Sequence, residues 1–207
     1  MNLLAHLVLS PKQTEFISGN IAADFLKGTD RNLISKGVQS GILMHRFVDQ
    51  FTDTHVLVKV SKNRVKKHFR LLSGVLVDIF YDHFLARDFE LIVNMPLEAF
   101  CEYIYETLEK NISALPPRLQ RFVPVMIQEN TLYSYRKLSG IQTALARINL
   151  RITKKFSVRL AMAILDDMYD FLENDFRQYF PCLINVTESY RKDFGTFLLP
   201  DPVKRKI

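Results

Sequence analysis

Apolar side chains recur at three- and four-residue intervals along most of this chain, the spacing that lines one face of a helix rather than one face of a strand. From Thr14 to Lys27, Phe16, Ile17, Ile21 and Phe25 form one stripe, and Gly28 followed by Thr29 and Asp30 supplies a stop. Asp24 falls among Ala22, Ala23, Phe25 and Leu26 and is expected to border or enter the core. From Lys36 to Asp53, Val38, Ile42, Phe47 and Phe51 keep helical spacing around polar His45, Asp49 and Asp53, and a further helix follows from Val56 to Phe69. Leu71 to Ile92 is apolar on almost every side, which predicts the central, buried helix. Pro96 suits the first turn of the next helix, where Leu97, Phe100, Ile104 and Leu108 repeat. Ser113 to Pro117 breaks the pattern before Leu119, Phe122 and Met126 resume it as far as Leu132. Finally, Leu160, Ile164, Met168, Leu172, Phe176 and Phe180 recur every four residues and predict one long amphipathic helix ending before Pro181.

These elements describe an all-α fold, read as a single-domain helical bundle over residues 1–207 with 200–207 a frayed tail. Seven Gly and eight Pro leave few tight turns, and 207 residues at 48% hydrophobic content suffice for one substantial core. The apolar run from Met1 to Leu9 lacks a positive flank and is not expected to be an export signal. Asp78, Asp82 and His83 interrupt the most apolar internal stretch, which argues against a membrane span. Cys101 and Cys182, without CxxC spacing, are read as buried free thiols of a reducing, cytoplasmic compartment.

A formal charge of +6 changes the picture by pointing to an acidic partner. Basic residues concentrate in Lys59, Lys62, Arg64, Lys66, Lys67, His68 and Arg70, and again in Arg147, Arg151, Lys154, Lys155 and Arg159. Each cluster is either a solvated face or a partner surface. Nucleic acid is disfavoured, because no binding motif and no interleaved basic and aromatic run is present.

All five histidines, His6, His45, His55, His68 and His83, lie in the first ninety residues together with Asp24, Asp49, Asp53, Asp78 and Asp82. His45 and Asp49 are four apart, as are Asp49 and Asp53, and Asp78 and Asp82, so each pair projects from one helix face. Two carboxylates and an imidazole within Asp78–Ala86 need partners or a metal, being set in the most apolar helix. Imidazole with carboxylate suits manganese, iron or zinc. The alternative is an ion-pair network in which Arg46 or Arg87 ties helices together, and spacing alone does not choose. His55 follows Asp53 and Thr54 at a helix boundary and is read as part of a cap.

Four ordered motifs go further: Asn2-x-Leu4-Ala5-His6-Leu7; Ser18-Gly19-Asn20-x-x-Ala23-Asp24-Phe25-x-Lys27-Gly28; Gly41-Ile42-x-x-His45-Arg46-x-x-Asp49-x-Phe51-Thr52-Asp53; and Asp78-x-x-Tyr81-Asp82-His83-Phe84-Leu85-Ala86. Together they resemble the acyl carrier protein phosphodiesterase family, with Leu132-Tyr133-x-Tyr135-Arg136 and the Tyr169 to Pro181 segment as weaker echoes and Phe89 where the family often has Trp. The resemblance implies an all-helical relative of the HD phosphohydrolases and a metal-dependent hydrolysis, with manganese, of the phosphodiester that joins phosphopantetheine to a serine of holo acyl carrier protein. It implies Asp24, His45, Asp78, Asp82 and His83 as metal positions, leaving the direct ligands open, and His6 close by. On this reading Arg46 stabilises developing charge and Asp49 orients the attacking water. Acyl carrier proteins are small and acidic, so Lys59, Lys62, Arg64, Lys66, Lys67 and Arg70 gain a role in partner binding. The competing readings are a phosphohydrolase of nucleotides or other small phosphodiesters, and a non-enzymatic helical module that binds an acidic protein.

Overall fold

The computed structural model describes residues 3–26 and 35–194, the side chains of 189–194 excepted. Every regular element among the described residues is helical: α1 (Leu3–Val8), α2 (Thr14–Ala22), α3 (Lys36–Thr54), α4 (Val56–Phe69), α5 (Ser73–Arg87), α6 (Phe89–Val93), α7 (Leu97–Lys110), α8 (Pro117–Gln128), α9 (Thr131–Ser134), α10 (Leu138–Arg151), α11 (Val158–Asp167) and α12 (Tyr169–Phe194). None of them is long and apolar enough to cross a membrane.

The predicted central helix is α5, and its position follows from its composition. From Leu76 to Ala86 only Asp78 is less than buried, so a single apolar stripe cannot describe it. Helices α1, α4, α10 and α12 surround it. Polar atoms on its buried faces are satisfied across helices: Ser61 Oγ lies 2.9 Å from Tyr81 Oη and donates to Asp175 Oδ2 at 2.7 Å. An unmet donor there would cost about 1–3 kcal/mol.

Helices α2 and α3 approach backbone to backbone. A Cβ on Gly19 would overlap the Val38 carbonyl, and one on Gly41 would overlap the Phe16 carbonyl. Glycine is therefore required at both positions by close packing, and that packing brings Asn20 of α2 beside His45 of α3. His55 ends α3 and starts α4, its Nδ1 accepting the Leu57 N–H at 3.3 Å, so the cap is His55 itself rather than Asp53 or Thr54.

The described residues correct five expectations. Helix α2 ends at Ala22 and gives way to a turn in which the Phe25 N–H reaches the Ala22 carbonyl three residues back at 2.8 Å; Asp24, on that turn, is exposed instead of entering the core. The central helix ends at Arg87, where Asp88 is drawn to Arg87 and Arg177 at 2.7 Å each, and α6 continues separately. The predicted long C-terminal helix divides at Met168, whose N–H closes α11 on the Ile164 and Asp166 carbonyls while Asp170 enters the first turn of α12, a placement favoured by the helix dipole. That helix then passes through Pro181, because buried Tyr179, Phe180, Leu183 and Ile184 hold both sides of the lost hydrogen bond. Of the two free thiols, Cys101 is buried as expected but Cys182 is exposed. The predicted stop at Gly28 to Asp30 and the tail 200–207 lie outside the described residues.

Candidate functional site

Helices α1 and α3 bring two imidazoles face to face. The rings of His6 and His45 are stacked with centroids 3.8 Å apart and planes 9° from parallel. Asp49, one turn beyond His45, bridges them: its Oδ1 lies 3.1 Å from His6 Nε2 and its Oδ2 lies 3.2 Å from His45 Nε2. Asp24, on the turn after α2, reaches His45 Nε2 at 3.2 Å from the open side. Ligand atoms of His6, His45 and Asp49 all fall within 4.8 Å of one another.

Asn20 sets the polarity of this cluster. Its buried Nδ2 donates to the His6 carbonyl at 2.9 Å and to Ser10 Oγ at 2.8 Å, which turns its Oδ1 toward His45 Nδ1 at 3.2 Å. His45 therefore carries a proton on Nδ1, and its Nε2 points at two carboxylates. A bare lone pair would be repelled there, so Nε2 holds either a second proton or a cation. Burial opposes charge on His45, yet the hydrogen bonds to Asp24 and Asp49 outweigh it and push the group up to about 9. His6 moves the other way, down to about 4, chiefly because burial disfavours its charged form despite the bond to Asp49. Partial desolvation at the cluster would raise Asp49 and Asp24, but hydrogen bonds from the imidazoles hold both below the usual carboxylate range.

This donor set fits a divalent cation. Two imidazole nitrogens and carboxylate oxygens converge, and Asn20 supplies the outer hydrogen bond that orients an imidazole ligand.

The α5 candidates lie elsewhere. Asp82, fully buried, accepts the Leu4 N–H on Oδ2 at 2.8 Å and the Ala5 N–H on Oδ1 at 3.2 Å, capping the helix that carries His6. Burial pushes its carboxyl up to about 7 against those two bonds. His83 Nδ1 donates to the Tyr135 carbonyl at 2.8 Å, which leaves Nε2 to accept from Tyr169 Oη at 2.8 Å. Burial lowers the His83 pKa, in keeping with that neutral tautomer. Arg87 donates to the same Tyr169 oxygen and to both oxygens of Glu173, so His83 belongs to a network that ties α5 to α12. Asp78 has its carboxyl raised by burial and contributes no atom to the His6, His45 and Asp49 group.

Arg46 is exposed on α3, next to His45. Among the cations of α4 and the residue that follows it, Lys62 pairs with Asp53 at 2.6 Å and Arg64 with Asp175 at 3.4 Å, while Lys59, Lys66, Lys67 and Arg70 are exposed. Asn20 and the Asp82 cap carry structural tasks that residue type alone does not disclose. Asn20 stands inside a quoted motif, yet an amide among apolar residues carries no chemical signal until its partners are known.

The chain matches the family described as "Acyl carrier protein phosphodiesterase" over residues 1–183. Relatives named acyl carrier protein phosphodiesterase include those of Enterobacter sp. (strain 638), 33% identical over 87% of this chain and 94% of the relative, and Pectobacterium atrosepticum, 28% identical over 91% and 98%. Another, from Escherichia coli O45:K1, is 32% identical over 87% of this chain and 94% of its own. No solved structure matches the chain.

Proposed function

The chain belongs to the acyl carrier protein phosphodiesterase family, and on that premise we propose that His6, Asp24, His45 and Asp49 form the centre at which it hydrolyses the phosphodiester between 4′-phosphopantetheine and a serine of holo acyl carrier protein. The convergence of His6, His45 and Asp49 within 4.8 Å, with Asp24 on the open side, carries this reading. These four residues would hold a divalent ion; the mixture of imidazole and carboxylate suits manganese, iron or zinc, and the family resemblance selects manganese among them. Such an ion supplies positive charge to phosphoryl oxygens and lowers the pKa of a water.

The chain's own residues do the positioning. Asp49 bridges both imidazoles and turns their Nε2 atoms toward one point, Asn20 fixes the tautomer of His45, and Asp82 anchors the helix that presents His6. His83 holds the surrounding helices. Arg46, exposed one residue from His45, meets charge that develops on the phosphate. Water adds to phosphorus as the bond to the serine oxygen breaks. The serine leaves as a hydroxyl, taking up the proton that water releases, and the phosphate stays with pantetheine. The whole chain acts as one catalytic domain.

Incubating the protein with holo acyl carrier protein and manganese, then weighing the carrier by mass spectrometry, tests this directly. Loss of the phosphopantetheine mass is expected, and an unchanged mass overturns the proposal.

A further inference from the structure

A groove of about 700 Å³ opens beside the cluster, and Asp24 forms part of its wall. Two helices supply its cations: Arg118 and Arg121 from α8, Arg147 and Arg151 from α10. The first two are three residues apart and the second two four apart, so each pair projects from one helix face. No lysine lines the groove among the described residues, and Asp24 is its only carboxylate there. Arg147 pairs with Glu129, and the Arg151 guanidinium stands 5.4 Å from the Phe122 ring centroid. Arg118 and Arg121 are exposed and make no ion pair among the described residues.

Four guanidinium groups around one concavity repel one another, and one ion pair leaves most of that charge to solvent or to a binding partner. The occupant must therefore present several anions. A single phosphodiester carries one negative charge, and that charge belongs at the cluster. An acidic protein face satisfies the rest, because each planar guanidinium matches a carboxylate with two parallel hydrogen bonds. Geometry adds a second argument: Asp24 belongs both to the cluster and to the groove, so an acidic protein seated on these arginines has its modified serine within reach of the centre. The α4 face lacks this continuity. None of its residues lines the groove, and Lys62 and Arg64 are already paired.

We propose that Arg118, Arg121, Arg147 and Arg151 form the docking face for the acidic carrier protein, in place of the lysine-rich face of α4. The proposal rests on the cluster being the hydrolytic centre.

The test measures dissociation constants for apo acyl carrier protein, which lacks the arm, and for free 4′-phosphopantetheine, which lacks the protein. Wild type, R118E/R121E, the milder R118Q/R121Q and K59E/K66E/K67E are compared, each checked for an unchanged circular dichroism spectrum. Charge reversal on α8 is expected to weaken apo carrier binding about tenfold or more, with a smaller loss for the glutamine pair and none for the lysine variant. Binding of free 4′-phosphopantetheine is expected to stay the same. Unchanged carrier binding by both arginine variants overturns the proposal, as does an equal loss in the lysine variant. So does a loss confined to free phosphopantetheine, which would assign the arginines to the arm. These results are separable from failure of the functional reading itself, in which the wild type leaves the mass of holo carrier unchanged.

Discussion

Asp82 accepts the Leu4 backbone N–H at 2.8 Å, so a carboxylate on the central helix fixes the first turn of the helix that presents His6. Asp82 thereby acts on the cluster from a distance.

Asp82→Asn keeps one acceptor but turns a donor toward the other N–H. A loss of about 1–3 kcal/mol is expected, because a buried capping bond is replaced by a donor facing a donor. Helicity by circular dichroism stays the same and activity falls as His6 loses its placement. Manganese at saturation still binds with wild-type stoichiometry. Loss of that stoichiometry would instead make Asp82 a ligand.

Asn20→Ala removes the group that orients His45 and the donor to the His6 carbonyl. Manganese affinity is expected to drop about 10–100-fold, the usual cost of losing an outer hydrogen bond to a ligand. Isothermal titration checks it, and affinity within twofold of wild type would remove Asn20 from that role.

How much of this was legible in the sequence depends on the range of the interaction. Helix α3 was, because Val38, Ile42, His45 and Asp49 keep their spacing within one element. The joint at Met168 was not, since a four-residue repeat of apolar side chains runs straight across it. Pro181 misled in the opposite direction: the local rule stops a helix that buried neighbours on both sides sustain. The chemistry divides in the same way. His6, Asp24, His45 and Asp49 come together from three segments, and the motifs name all four. Asp82 and His83 are neighbours on one helix yet meet different partners, because one faces a helix start and the other the Tyr135 carbonyl. Only the packing of other helices reveals that.

Gly19→Ala and Gly41→Ala test the close approach of α2 and α3. Each methyl would meet a carbonyl of the other helix, so a loss of about 1–3 kcal/mol is expected for either, with reduced activity as Asn20 and His45 separate. Gly74→Ala is the contrast. Its nearest neighbours are the end atoms of Lys62 at 3.6 and 3.7 Å, and helix propensity favours alanine by up to about 1 kcal/mol. Thermal melts of all three decide the matter: a Gly19 or Gly41 variant as stable as wild type would contradict the packing.

With metal removed by chelation, the cluster makes stability depend on pH. The fold holds the His45 proton up to about 9, against an ordinary value of 6.5. Its contribution is therefore complete below 6.5 and lost as pH rises toward about 9, a decline of about 3 kcal/mol. His6, lowered to about 4 mainly by burial, has the opposite sign: unfolding takes up a proton below 6.5, so stability also falls as pH drops toward about 4. Asp82, raised to about 7, has the opposite sign over the same acid window and offsets the His6 contribution, so the expected signature of the cluster is the fall in melting temperature of the chelated protein above pH 6.5. His45→Gln should remove that alkaline decline. Manganese binding requires His45 to release its proton, so the melting temperature gained on adding manganese should grow between pH 6.5 and 9. A chelated protein whose melting temperature is flat over that interval would show that Asp24 and Asp49 do not hold a proton on His45.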